Sequence, residues 1–330
     1  MKFHGITVNN CKQTDVWGWT GDYLITDGVD QVFTNHGPKV LHFPSMIRVL
    51  EEADNRFVCH ICNAISSGLK HILIKTSDSD VLVIIISFMY RFMCMDPEVR
   101  IFVEFNTGKA MRTFDMNACY SMLGKAKCLA LPFFHAFTGA DATCAFYGHT
   151  KGMWWSNWEQ FPEKDLLTEA FCDLSFCPTQ ATLVKHQGVM VRFLAFAYTK
   201  SYEADLQNAA DLGALRFSRF MTSPTTNLRA MMPAPGSYGL HIMRSAYQAG
   251  WVWGNTLEQR TPPPTEDWGW LIHEGKLYIR WTLSSNGPVM LSEVISVCKC
   301  RKALCKQCKC AKSNKPCLTF CGCNRKCTKT

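Results

Sequence analysis

The sequence has little of the continuous hydrophobicity that marks exported or membrane-spanning chains. Residues 1 to 30 contain no uninterrupted apolar stretch behind a basic start, so we expect no secretory signal. The longest apolar run, Val81 to Tyr90, is interrupted by Ser87 and ends before Arg91, which makes it far shorter than the roughly 20 residues of a transmembrane helix. We therefore expect a chain that stays inside the cell and has no membrane partner.

Acidic residues are absent from the C-terminal segment. Between Cys298 and Thr330 there are ten Lys or Arg residues and no Asp or Glu, whereas the whole chain has 35 basic and 27 acidic residues and a net charge of +8. The rest of the chain therefore has 25 basic and 27 acidic residues, a net charge of −2. Because the positive excess lies entirely in this segment, the segment is predicted to bind an anionic partner such as a nucleic acid.

Cysteine is abundant, with 18 residues in the chain. In a chain without an export signal this number argues against a disulfide framework, because the cytosol and nucleus keep thiols reduced. Nine cysteines are scattered over the first 177 residues, and we interpret these as small buried side chains. The other nine form a cluster near the C terminus, namely Cys298, Cys300, Cys305, Cys308, Cys310, Cys317, Cys321, Cys323 and Cys327.

The C-terminal cluster predicts a zinc site. Structural zinc is bound by four tetrahedral ligands, and nine thiolates satisfy three ions when six bind one ion each and three bridge two ions. The segment has little apolar content, so metal binding is its plausible source of folding free energy; the alternative is a flexible Cys/Lys-rich tail. Basic residues alternate with the cysteines and are candidates for phosphate binding; these are Lys299, Arg301, Lys302, Lys306, Lys309, Lys312 and Lys315.

The cysteine spacing, C-x-C-x4-C-x2-C-x-C-x6-C-x3-C-x-C-x3-C, resembles the CXC module of Tesmin/TSO1-type proteins. The resemblance covers only the tail. It implies that the tail contains structural zinc and binds DNA, and that the protein is in the nucleus. RNA is the alternative nucleic-acid partner. The family commonly has an aromatic residue before the fourth cysteine, and here Gln307 stands before Cys308. We therefore expect contacts to the nucleic-acid backbone more than base-specific reading.

A second group of candidate residues surrounds the apolar segment Ile72 to Lys75. Asp78 and Asp80 follow this segment, Glu52 and Asp54 precede it, and Asp141 lies further along the chain. The carboxyl ends of strands in an open α/β sheet form ligand-binding crevices, and carboxylate oxygens suit hard divalent cations. The alternative is that Asp78 or Asp80 only caps the helix that follows, since Asp is a favoured N-cap residue.

The order of these acids resembles the flap-endonuclease-like branch of the PIN nuclease superfamily, over roughly residues 45 to 160. The resemblance implies that Glu52, Asp54, Asp78, Asp80 and Asp141 bind two Mg²⁺ or Mn²⁺ ions and catalyse phosphodiester hydrolysis. The aspartate of the family's opening strand has no convincing counterpart before residue 45, where Asp27-Gly28 is only a weak stand-in. The alternative is an inactive DNA-binding protein. The pairing of such a core with such a tail resembles multi-copy invertebrate proteins, some associated with mobile elements.

The alternation of apolar strand and helix patterns predicts an α/β fold, with a parallel or mixed sheet flanked by helices as in a PIN-like core. The first helix is expected to end at Gly68 and to begin at Ser45 or nearer Glu51; it would contain Asp54 together with Glu52, or with Glu51 in place of Glu52. We expect an irregular or short-strand N-terminal segment at 1–44, the core at 45–200, a helical and short-strand appendage at 201–290 and the zinc-binding tail at 291–330.

Overall fold

The computed structural model describes residues 53–222, 230–258 and 260–282, the single residue 312, and the backbone of four short strands near the N terminus. Glu52 lies outside the described residues. So do the nine cysteines of the predicted zinc cluster and, apart from Lys312, the basic residues between them.

Nine strands and eight α-helices are described. The strands are β1 (Gly5–Val8), β2 (Tyr23–Thr26), β3 (Val32–Thr34), β4 (Gly37–Lys39), β5 (His71–Thr76), β6 (Arg100–Phe105), β7 (Arg112–Asp115), β8 (Trp270–His273) and β9 (Lys276–Ile279). The helices are α1 (Arg56–Ser66), α2 (Ser79–Met95), α3 (Met116–Thr138), α4 (Lys151–Gln160), α5 (Lys164–Ser175), α6 (Gln180–Thr199), α7 (Ala209–Thr222) and α8 (Pro235–Ala246). A π-helical turn, Tyr247–Trp253, continues α8.

Seven of the strands form one sheet, in the order β4-β3-β2-β1-β5-β6-β7. The pair β5–β6 is parallel and the other neighbouring pairs are antiparallel. The fold is therefore a mixed α/β fold, as the sequence predicted. The N-terminal segment contributes four strands to this sheet. The sequence had predicted either irregular structure or short strands for it.

The parallel pair exists because α2 returns the chain from the end of β5 to the start of β6, which is the connection that parallel strands require. In β5, Ile72 and Ile74 are fully buried on one face of the sheet. In α2 the buried side chains recur at helical spacing, with Val81, Ile84 and Phe88 among them. The carboxyl ends of β5 and β6 consequently lie side by side, just before the first turn of α2.

Helix α3 is at the centre of a second, largely helical layer. It packs against α2, α5 and α8, and its C-terminal half is buried from Pro132 to Thr138. The ring of Phe137 contacts aromatic rings from the α3–α4 connection and from α4, α5, α6 and α8, for example those of Phe171 and Phe193. This aromatic packing fixes the end of α3, from which the chain continues towards Asp141.

The C-terminal part of the described chain packs on the same core. Tyr238 of α8 donates a hydrogen bond to the carbonyl of Met190 at 2.7 Å, and His241 contacts the carbonyl of Phe137 at 2.7 Å. The tryptophans Trp253 and Trp268 are 1% exposed. Helix α8, the π-helical turn and the tryptophans Trp268 and Trp270 therefore share one hydrophobic core with α3, α5 and α6.

The first helix differs from its expected boundaries. The described α-helix begins at Arg56, after the 3-10 turn Ala53–Asn55, so Asp54 precedes the helix instead of lying inside it. Asp and Asn are weak in helix interiors because their side chains bond to nearby backbone or to other partners, and the Asn55 side chain here donates to the carbonyl of Val252 at 2.6 Å. The C-terminal end agrees with the expectation, since Gly68 has a φ of +82°.

Candidate functional site

An open pocket of about 490 Å³ lies at the carboxyl ends of β5 and β6. We call it the acidic pocket. Its walls come from the start of α2, the end of β6, the end of α3 and the α3–α4 connection. The residues that line it are Ser77, Asp78, Ser79, Asp80, Phe105, His135, Thr138, Gly139, Ala140, Asp141, Thr143, Ala145, His149, Thr150 and Lys151.

Asp78 caps α2 and lines the acidic pocket. Its carboxylate accepts a hydrogen bond from the backbone amide of Asp80 at 3.0 Å, and its own amide donates to the hydroxyl of Thr76 at 3.0 Å. These bonds hold the chain between β5 and α2 in one conformation. The capping role that the sequence left open as an alternative is present, and the same residue lines the pocket.

Three of the predicted acids lie close together. A carboxylate oxygen from each of Asp54, Asp78 and Asp80 lies within 4.8 Å of the other two. Asp80 is buried, whereas Asp54 and Asp78 are partly exposed. Oxygen ligands at this mutual spacing fit around one divalent cation of the Mg²⁺ or Mn²⁺ type. The group is drawn from the turn before α1 and from the start of α2.

Asp141 lines the same pocket from the α3–α4 connection and is exposed. The connection begins at Gly139, which has a φ of +115° and closely approaches Ala145; a Cβ atom at position 139 would lie 2.9 Å from the Cβ of Ala145. Glycine is therefore required where the chain turns from α3 towards Asp141. The structure thus brings together Asp54, Asp78 and Asp80 and places Asp141 in the pocket that Asp78 and Asp80 line; Glu52 is outside the described residues.

His135 is a pocket residue that the sequence did not reveal. Its Nε2 atom lies 2.8 Å from Oδ1 of Asp80, and both side chains are buried. Its ring also lies 6.0 Å from the ring of Trp253. An imidazole N–H donated to a carboxylate fixes the orientation of that carboxylate. No motif spacing signals this contact, because the two residues are 55 positions apart in the chain.

Lys151 is the second residue that the sequence did not assign to the site. Its Nζ atom donates to the carbonyl of His135 at 2.9 Å, to the hydroxyl of Thr138 at 3.1 Å and to the carbonyl of Gly139 at 2.5 Å. The residue is exposed as a whole, but loss of water around its ammonium group lowers the pKa of Lys151 to about 8, against the opposing effect of the Asp80 charge. A cation at this place also interacts favourably with the C-terminal end of α3.

A second group of potential ligands lies away from the pocket, on α5 and α6. One ligand atom from each of Glu169, Asp173 and His186 lies within 4.8 Å of the others. Lys185 already donates to both carboxylates, at 2.8 Å in each case, and His186 contacts Asp173 at 2.8 Å. The lysine supplies the positive charge that these acids need, so we interpret the group as an ion-pair network on the protein surface.

The isolated cysteines only partly agree with the expectation that they are buried. Cys128 and Cys177 are buried, but Cys94 and Cys144 are exposed, and the other described cysteines are intermediate. Burial raises the pKa of Cys62 to about 11 and that of Cys128 to about 12. Thiols with such pKa values stay protonated near neutral pH.

Little of the tail is described. Lys312 is exposed, and the predicted zinc ligands and the other predicted phosphate-binding residues lie outside the described part of the chain. None of the helices that the structure describes is both long enough and apolar enough to cross a membrane. Comparison of the chain with protein-family models, with curated proteins and with solved structures finds no match.

Proposed function

We propose that this protein is a nucleic-acid-binding protein with a metal-dependent phosphodiesterase site in the acidic pocket and a zinc-bound tail that binds DNA. The observation that carries the proposal is the proximity of three carboxylates, Asp54, Asp78 and Asp80, whose oxygens lie within 4.8 Å of one another. Asp141 lines the same pocket from a different element. Several carboxylates that converge from separate elements are what a Mg²⁺ or Mn²⁺ site for phosphoryl chemistry requires.

The surrounding fold supports a PIN-like core. The unit β5–α2–β6 is a parallel pair with a helical crossover, and its acids stand where ligands bind in such units, beyond the carboxyl ends of the strands. The pocket is open, and polar side chains such as those of Asp78, Asp80 and Thr138 line it together with Phe105, Ala140 and Ala145. Such a surface accommodates the sugar-phosphate backbone of a nucleic acid better than it would enclose a small apolar molecule.

The chain's own residues have defined parts in this proposal. Asp78 and Asp80 supply carboxylate oxygens from a rigid turn that is closed by two hydrogen bonds. His135 holds one oxygen of Asp80, and Asp141 adds negative charge from the α3–α4 connection. A divalent cation bound to these oxygens would polarise a phosphate group and activate water for attack on phosphorus.

The tail completes the proposal. Nine thiolates holding three zinc ions would display the interleaved Lys and Arg side chains on a rigid surface, and each phosphate they neutralise would release counterions. DNA bound by the tail would be held at high effective concentration near the pocket. This arrangement favours a role in the nucleus.

A second candidate is a non-catalytic protein that binds DNA through the tail alone. The observation that favours it is the orientation of β1, which runs antiparallel to β5. In that orientation the carboxyl end of β1 lies beside the amino end of β5, whereas the acidic pocket is at the carboxyl end of β5. This strand therefore cannot deliver the additional aspartate of the nuclease family to the site.

Cleavage assays with the full chain distinguish the two candidates. We expect wild-type protein to cut labelled single-stranded or duplex DNA in Mn²⁺ and to be inactive in EDTA. Asp80→Asn should reduce the rate by more than about 100-fold, the upper end of what the loss of an outer-shell partner costs. Glu169→Gln, in the acidic group away from the pocket, is the matched control and should retain activity. DNA binding without Mn²⁺-dependent cleavage would favour the second candidate.

A further inference from the structure

Three contacts join the segments that carry the pocket acids. Asp80 lies at the start of α2, and Asp141 lies in the α3–α4 connection. The side chain of His135 contacts Asp80, and its backbone carbonyl accepts a hydrogen bond from Lys151. The same ammonium group donates to the carbonyl of Gly139, two residues before Asp141. A continuous chain of contacts therefore runs from one acid-bearing segment to the other.

We propose that His135 and Lys151 are positioning residues that hold the two acid-bearing segments of the acidic pocket in register and thereby set its affinity for a divalent cation. This inference rests on the proposed metal site and extends it. It assigns roles to two residues that bind no metal themselves. His135 orients the Asp80 carboxylate, and Lys151 fixes the backbone that leads to Asp141.

The hydrogen-bond capacity of Lys151 argues for positioning and against direct contact with a substrate. A lysine ammonium group has three N–H donors, and three oxygens of the end of α3 accept from it: the carbonyls of His135 and Gly139 and the hydroxyl of Thr138. A phosphate group could be bound only after one of these bonds was broken. The loss of water that lowers the pKa of Lys151 agrees with an ammonium group that is enclosed by these oxygens.

The geometry of His135 argues for the same kind of role. Its Nε2 atom faces Asp80 at 2.8 Å, and the imidazole is buried, so the donor cannot turn to another partner without moving the end of α3. Hydrogen-bond partners of metal-binding carboxylates and imidazoles typically change metal affinity or activity by about 10- to 100-fold when they are removed. We expect an effect of that size at His135.

Binding of Mn²⁺ by the zinc-loaded full chain tests the inference, with free Mn²⁺ measured by electron paramagnetic resonance. His135→Leu should weaken Mn²⁺ binding by about 10- to 100-fold, whereas His135→Gln, which places an amide donor near the position of Nε2, should recover most of the affinity. Lys151→Met should also weaken binding, and Lys151→Arg should weaken it less. Lys127→Met removes a lysine that pairs with Glu159 outside the pocket and should bind Mn²⁺ as the wild type does.

A second measurement keeps this inference separate from the proposed function. Hydrogen exchange at residues 139–150 should become faster in Lys151→Met than in Lys127→Met, with or without Mn²⁺. If the wild-type pocket binds no Mn²⁺, the proposed metal site fails and the exchange rates alone decide the positioning role of Lys151. The inference would be overturned by unchanged exchange in Lys151→Met, or by wild-type Mn²⁺ affinity in both His135→Leu and Lys151→Met. Equal losses in His135→Gln and His135→Leu would remove the role assigned to the imidazole.

Discussion

The carboxylate of Asp78 accepts a hydrogen bond from the backbone amide of Asp80 at 3.0 Å. Asp78 therefore stabilises the first turn of α2 and at the same time contributes its charge to the acidic pocket. This geometry is compatible with Asp78 acting as a helix cap and with Asp78 acting as a metal ligand. The two roles can be separated because asparagine is as good an N-cap residue as aspartate but has no charge.

The first prediction compares two substitutions of Asp78. Asp78→Ala removes the cap and should lower the free energy of unfolding by about 1 kcal/mol. Asp78→Asn keeps the cap and reduces the repulsion among three neighbouring carboxylates, so its metal-free stability should equal or exceed that of the wild type. Both variants should bind Mn²⁺ more weakly. Urea unfolding in EDTA and Mn²⁺ titration provide the two measurements; wild-type Mn²⁺ affinity in Asp78→Asn would show that Asp78 is only a cap.

The second prediction concerns acid sensitivity. His241 is buried and lies 2.7 Å from the carbonyl of Phe137; burial lowers the pKa of His241 to about 4, and the charge of Arg244 adds to this effect while the hydrogen bond opposes it. The unfolded chain takes up this proton near pH 6.5, so the free energy of unfolding should fall as the pH falls from about 6.5 to about 4. The loss should be on the order of 3 kcal/mol.

The variant His241→Gln isolates this contribution. It cannot take up the proton, so the difference in stability between wild type and variant should shrink as the pH falls from 6.5 towards 4 in urea titrations. His273→Gln is the matched control, because His273 is on the surface, with 76% of its side chain exposed. A pH profile of His241→Gln that runs parallel to that of the wild type would contradict the assignment.

The third prediction concerns an ion pair between Arg192 of α6 and Glu163, the residue before α5. Arg192 donates to Glu163 through Nε at 2.6 Å and through a terminal nitrogen at 3.1 Å, and its side chain is 8% exposed. Arg192→Met would leave the Glu163 carboxylate without its cation and should cost about 2 to 3 kcal/mol, somewhat less than for a fully buried pair. Lys185→Met, at an exposed ion pair, should change the urea midpoint very little. Equal effects of the two substitutions would contradict this account.

The fourth prediction concerns the tail. Nine cysteines from Cys298 to Cys327 should bind three Zn²⁺ ions per chain under reducing conditions. Native mass spectrometry of the zinc-loaded full chain counts the ions directly, and a variant truncated after residue 290 serves as the control without the cluster. The truncated chain should also lose most of its salt-sensitive DNA binding. Fewer than two ions per full-length chain would exclude the proposed cluster.

The central part of the fold was predictable because its signals are local. The apolar strand β5, the turn that follows it and the apolar segment after that turn are encoded by adjacent residues. The structure places β5 and the turn where they were expected, and the apolar segment forms the helix α2. Asp141 could be assigned to the pocket only from the order of motifs along the chain. Its location follows from the sharp turn at Gly139, and a glycine two residues before an acidic residue is a weak signal when it is taken alone.

The rest of the site depends on contacts between distant parts of the chain. His135 meets Asp80 because α3 packs against α2, and the periodicity of neither helix reveals which polar residue will face the other. The Asn55 side chain likewise bonds to Val252, 197 positions away, and the expected start of the first helix did not take this contact into account. The pairing of β1 with β5 joins residues more than sixty positions apart, so its antiparallel direction could not be read from local pattern.

The most direct test of the metal site is an anomalous difference map from crystals of the full chain grown with Mn²⁺. The account predicts a peak in the acidic pocket, with oxygens of Asp78 and Asp80 about 2.0 to 2.6 Å from the ion, the range for oxygen ligands of divalent cations. The peak should disappear in crystals of Asp80→Asn. A map with no peak beside Asp78 and Asp80, or with a peak only beside Glu169, Asp173 and His186, would contradict the account.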